Sequence, residues 1–147
     1  MKTAYRSLSM LVALGVVVQA AAIAYAWFAV IKDLDGGTVL DENYEGNVGH
    51  ALHGITGMMI IPALGLLLLV VSFFTKVDGA VKWAAAVFGL VVLQVALAFV
   101  SFGAPVVGAL HGINALALAG VAGMAARVVR EGRPRTAASP ADTVPAV

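Results

Sequence analysis

The sequence predicts an all-α protein: an integral membrane four-helix bundle made of two tandem helical hairpins, with both termini in the cytoplasm. Three observations carry that prediction. The 147 residues are 61% hydrophobic and only 12% charged, and the mean hydropathy of +0.98 is far above that of a soluble domain. Four apolar stretches, 8–31, 50–75, 83–103 and 106–128, each approach the ~20 residues that cross a bilayer core. The pentapeptide Ala-Leu-His-Gly-Ile occurs twice, at 51–55 and 109–113, each time at the start of an apolar stretch.

The first stretch follows Lys2 and Arg6 and contains Ala24-Tyr25-Ala26, the outline of a cleavable signal peptide. The apolar run continues through Trp27 to Ile31, longer than a signal core, so it reads as a span. An acidic segment follows, with Asp33, Asp35, Asp41, Glu42 and Glu45 against Lys32 alone. The second span holds Pro62, which removes a backbone donor and clashes with the preceding turn, so a kink is expected there. The third and fourth spans are divided by a turn around Gly103 and Pro105. Trp27, Trp83 and Tyr25 near span ends suit an interfacial aromatic belt. Residues 1–130 thus form the membrane domain. The tail 131–147, rich in Arg, Pro, Ala, Ser and Thr, reads as a disordered cytoplasmic segment.

Positive charges fix the expected orientation. Lys2 and Arg6 precede the first span, Lys76 and Lys82 separate the second from the third, and Arg127, Arg130, Arg133 and Arg135 end the fourth. The positive-inside rule then puts the termini and the middle loop in the cytoplasm of a multi-pass protein of the bacterial plasma membrane, with the acidic loop 32–49 outside. Spans two and four run in the same direction, so His53 and His111 reach similar depths near the outer face. The repeat also extends to spans one and three, where Val17-Val18-Gln19-Ala20-Ala21 matches Val92-Leu93-Gln94-Val95-Ala96. A parallel repeat of this kind places a site between its two halves.

The chemistry available is narrow. With no cysteine, thiol catalysis, disulfides and iron–sulfur clusters are excluded. No basic, aromatic-rich surface segment points to nucleic acid. Proton-coupled export requires an acidic residue inside a span and none is present, although uncoupled transport stays open. Two intramembrane histidines at repeated positions are the candidate ligands of a haem iron, His53 and His111 approaching it from opposite faces. Gly54 and Gly112, together with Gly57, Gly108 and Ala115, either clear space for a porphyrin or allow close helix packing. His50, one turn before His53, has Gly108 as its counterpart and is a candidate propionate partner or proton relay. His50, His53 and His111 together would alternatively hold copper or zinc, completed by Glu42 or Glu45 if the outer loop folds back. Gln19, Gln94 and Asn114 are either hydrogen-bonding glue or contacts to a haem edge or quinone head group. Met58 and Met59 read as packing residues.

The segment Leu93-Gln94-Val95-Ala96-Leu97-Ala98, followed by Ala104-Pro105-Val106-Val107-Gly108-Ala109-Leu110-His111, resembles one half of the haem A synthase family. There a glutamine-bearing apolar helix leads through a short outer turn into a helix with a haem-ligating histidine. The likeness spans residues 10–128, the size of one four-helix half of the eight-span family. It implies haem b held by His53 and His111, with Glu45 or Glu42 in the place of the family's outer-loop glutamate. Gly54 and Gly112 stand where the family often carries a basic residue. The chain also resembles small four-helix membrane proteins of bacteria, a likeness that brings no activity with it.

The leading expectation is a bis-histidine haem b protein for electron transfer, haem handling or redox sensing, with no catalytic residues of its own. The alternatives are a haem-modifying enzyme acting as a homodimer and a cofactor-free scaffold. The expected partners are the lipid bilayer, a quinone or other redox partner, and a second copy of the chain.

Overall fold

The computed structural model of the chain describes residues 1–131. The expected tail thus lies, beyond its first residue, outside the described residues. Four helices form the described part: α1 (Lys2–Asp35), α2 (Val48–Ser72), α3 (Ala80–Gly103) and α4 (Val107–Glu131). Each is long and apolar enough to cross a membrane. All four reach beyond or short of the apolar stretches by a few residues. α1 does so most, because charged residues at 2, 6, 32, 33 and 35 continue the helix past both ends of the 8–31 run.

Both ends of α2 show how local chemistry sets a boundary. Asn47 caps the start: its side-chain oxygen accepts from the Gly49 amide at 2.9 Å, while its own amide donates to His50 Nδ1 at 3.3 Å. This is a reciprocal capping box in which histidine replaces the usual Glu or Gln. Asn47 Nδ2 also donates to the Ala26 carbonyl of α1 at 2.9 Å, fixing the entry of α2 onto its neighbour. At the far end the chain turns through 73–79, and Gly79, with φ of +80°, starts α3 in a left-handed conformation.

α1 and α3 each pack on both α2 and α4, so consecutive helices are neighbours and α2 faces α4 across the bundle axis. The end that carries the chain's start is solid. Tyr5, Val12, Leu68, Val77, Val87, Leu118 and Ala125 are fully or almost fully buried there. Tyr5 Oη donates to the Ala80 carbonyl at 2.9 Å, and Ser9 Oγ donates to the Tyr5 carbonyl, so the hydroxyls in this core are satisfied. Large apolar side chains such as Phe28, Phe73 and Phe74 point outward, as suits a surface facing lipid.

The duplicated hairpin is a structural fact as well as a sequence pattern. The buried α1 residues Tyr5, Ser9, Val12 and Val16 fall 75 positions before the buried α3 residues Ala80, Ala84, Val87 and Val91. In α2 and α4 the offset is 58 at His53 and His111, but the buried Ile61, Gly65 and Leu68 match the buried Leu118, Ala122 and Ala125 at an offset of 57. One extra residue therefore sits in α2 between these positions. It is housed by a π-helical turn, Thr56–Ile60, whose Ile61 amide bonds back to the Thr56 carbonyl. The bend expected at Pro62 thus takes the form of this wider turn immediately before it, where the missing proline N–H is absorbed at the start of a new α-helical segment.

Candidate functional site

Above the solid core the four helices line a partly open cavity of about 530 Å³. Its lining reproduces the repeat. Val16 and Val91, Gln19 and Gln94, Ala20 and Val95, Ile23 and Ala98 face it from α1 and α3; His53 and His111, Gly54 and Gly112, Gly57 and Ala115, Met58 and Leu116, Ile61 and Leu118 face it from α2 and α4. Only Phe99 and Phe102 line it without a counterpart from the other hairpin. The wall is almost wholly apolar, with polarity concentrated in the two His–Gln pairs.

His53 and His111 meet across this space. Their ring centres are 6.3 Å apart and their planes are inclined by 59°. Each ring is held in the same way by the other helix of its hairpin. His53 Nδ1 lies 3.2 Å from the Gln19 carbonyl, and His111 Nδ1 lies 3.0 Å from the Gln94 carbonyl. A carbonyl only accepts, so each Nδ1 carries a proton, and in the neutral ring each Nε2 keeps its lone pair. The second hairpin adds three further bonds. Gln94 Nε2 donates to the His111 carbonyl at 3.0 Å, and Asn114 Nδ2 donates to Gln94 Oε1 at 2.6 Å and to the Leu90 carbonyl at 3.0 Å. In the first hairpin the buried Gln19 Nε2 has no partner among the described residues. Thr56 stands in place of Asn114, and its hydroxyl bonds within its own helix to the Leu52 carbonyl.

The glycines divide by what surrounds them. A Cβ built on Gly54 or Gly112 would meet nothing within 4 Å, so both open onto the cavity. A Cβ on Gly49 would lie 2.6 Å from the Ala22 carbonyl and 2.9 Å from Ala26 Cβ, so that glycine lets α1 and α2 touch. Met58 lines the cavity, whereas Met59 points outward.

No family model, curated protein or solved structure matches this chain.

His50 lies outside the cavity. Besides capping α2, it sets its ring edge-on to Trp27, with centres 5.6 Å apart, beside a smaller hollow that Tyr44 and Glu45 also line. The three histidines therefore do not assemble as a copper or zinc site, and among the described residues no cluster of three or more His, Cys, Asp or Glu is placed to hold a metal ion. The spacing Asn47-x-x-His50 before an apolar run was the available sign of a cap. Reading it requires admitting histidine as the acceptor at the third helical position. The acidic loop forms local contacts, Asn43 donating to Asp41 and Tyr44 Oη lying 3.4 Å from Asp33 Oδ2.

Proposed function

We propose that this protein is a membrane haem b carrier of single electrons, with the porphyrin seated in the bundle cavity between His53 and His111. The observation that carries the reading is the opposed pair itself. With both Nε2 atoms turned to one iron in line, two metal–imidazole bonds of about 2 Å, plus a little over an ångström from each ring nitrogen to its ring centre, add to about 6 Å. The ring centres are 6.3 Å apart. The proton arrangement also fits, because metal-bound histidines generally donate their second ring N–H to a carbonyl or carboxylate. Two nitrogens alone make a poor site for a bare ion, whereas a porphyrin brings its own four.

When bound, haem supplies a one-electron iron couple. The chain's residues do the rest. The Gln19 and Gln94 carbonyls hold each imidazole in one tautomer and raise its basicity as a ligand. Gly54 and Gly112 keep the space beside the rings clear, and the wall offers an almost wholly apolar surface to the porphyrin. Two protein ligands leave no open position, which favours electron exchange over oxygen chemistry. The charge pattern orients the protein in the bacterial plasma membrane with its termini in the cytoplasm and this cavity near the outer face. A quinol or a protein redox partner at that face is the donor or acceptor.

The absorption spectrum of protein purified from haem-supplied cells tests the reading. We expect a dithionite-reduced spectrum with sharp haem b bands, lost or strongly altered in His53→Ala and in His111→Ala. Bands absent from the wild type, or unchanged in both variants, overturn it.

A further inference from the structure

The approximate two-fold relation between the hairpins gives each group on one side of the cavity a counterpart on the other, so a difference between counterparts is informative. The two histidine arms differ in three ways. His111 belongs to a closed set of bonds joining α3 and α4: its Nδ1 to the Gln94 carbonyl, Gln94 Nε2 back to the His111 carbonyl, and Asn114 to both Gln94 and Leu90. His53 has only the longer bond from Nδ1 to the Gln19 carbonyl, at 3.2 Å against 3.0 Å. Gln19 is 9% exposed, yet its Nε2 bonds to nothing among the described residues. Third, the turn after His53 is π-helical and leads into Pro62, whereas α4 runs through the corresponding positions as a regular α-helix. A π turn holds a surplus residue, and shifting that surplus along the helix rotates the neighbouring segment without unwinding it.

We propose that His53 is the releasable ligand and His111 the fixed one, so that the reduced protein takes up a small neutral molecule that binds ferrous iron end-on, on the α2 side of the cavity. Carbon monoxide and nitric oxide belong to that class. The inference rests on haem being bound between these residues as argued above. With haem held there, His53 would be the ligand that yields to carbon monoxide, an exchange that would change neither the oxidation state of the iron nor any proton. Gly54, next to His53 on that side, leaves room for the incoming molecule. Gln19 brings an uncommitted amide donor to the same wall, suited to a bound ligand's outer atom. The arrangement would make the protein a responder to dissolved gas as well as an electron carrier.

The chain carries its own control, because Thr56→Asn supplies the first hairpin with the residue that completes the second. Haem-loaded protein in lipid nanodiscs is reduced with dithionite and mixed with carbon monoxide in a stopped-flow spectrometer. We expect wild type to form the carbonyl complex at a rate that saturates with carbon monoxide, the plateau being His53 release, and Thr56→Asn to lower that plateau at least ten-fold. Haem-loaded wild type that forms no carbonyl complex overturns this proposal and leaves the haem reading standing; protein without haem overturns the earlier reading.

Hydrogen–deuterium exchange on the haem-free protein tests the inequality of the arms separately. Amides of 53–60 should exchange at least ten-fold faster than those of 111–118, and Gln94→Leu should raise exchange in 111–118 toward the 53–60 rate. Equal protection in the two wild-type segments overturns the proposal whatever the haem content and whether or not Thr56→Asn folds.

Discussion

Ile61 and Leu118 line the same cavity from corresponding places in α2 and α4, yet 57 residues separate them, whereas 58 separate His53 from His111. The difference is the surplus residue in the π turn Thr56–Ile60. It keeps the histidine above the turn and the core below it on the same helix face, a task that α4 performs without a surplus.

Deleting Met59, which points outward, should therefore convert the turn to ordinary α-helix and leave both flanking registers intact. Deleting Ala117 from α4 should rotate everything beyond it by about 100°, a full residue step, and turn Leu118, Ala122 and Ala125 out of the core. Thermal unfolding followed by circular dichroism in detergent checks this: the Met59 deletion is expected to retain a cooperative transition and the Ala117 deletion to lose it. Loss in both would mean that the surplus residue has a structural role of its own.

Glycines a few residues apart in α2 should respond oppositely to enlargement. Gly49→Ala forces a methyl group against the Ala22 carbonyl at 2.6 Å, so the helices must separate, at a cost of about 1–3 kcal/mol. Gly54→Ala meets no atom and should gain about 0.5–1 kcal/mol from helix propensity. Gly54→Leu and Gly112→Leu should fold but carry little haem, because their side chains occupy the cavity. Unfolding midpoints and haem-to-protein ratios, measured on the same samples, separate the two effects.

His50 should prove to be a cap and no part of haem binding. His50→Ala removes the acceptor for the Asn47 amide and is expected to lower stability by about 1 kcal/mol, with haem bands unchanged. His50→Gln should recover most of that loss, since glutamine serves the same position in ordinary capping boxes. A spectral change in His50→Ala that His50→Gln fails to reverse would restore His50 to the haem site.

Since the chain has no cysteine, single introduced thiols report sidedness without background. In intact cells a membrane-impermeant maleimide should label Asp41→Cys and spare Asp78→Cys, with both labelled after permeabilisation. The reverse pattern would invert the orientation drawn from the positive charges.

Composition and charge were enough to foresee four helices, and the doubled pentapeptide was enough to foresee that His53 and His111 meet. Such features depend on the residues themselves: burial of apolar surface needs only the run of apolar letters, and co-directional helices put equal offsets at equal depths. The roles of Gly49 and Gly54 were not separable by sequence, because spacing states the face a residue occupies but not how near the next helix comes. The π turn was hidden for a related reason. Pro62 announced a disturbance, but only the change of offset from 58 to 57, visible once burial is known, shows that the disturbance is an inserted residue. The nearness of His50 to His53 in sequence suggests a shared site, whereas one helical turn sets it against the loop and Trp27.

Both Nδ1 protons of the histidine pair rest on main-chain carbonyls, at residues 19 and 94. Every amino acid offers that oxygen, so the tautomer that leaves Nε2 free is insured against substitution at those two positions: replacing Gln19 or Gln94 alters what surrounds the arm while the anchor itself persists. Only moving one helix past another can disarm it. The state of the site is thereby tied to the spacing of the helices, and a change in bilayer thickness or lateral pressure that shifts α1 against α2 would reach the imidazole directly.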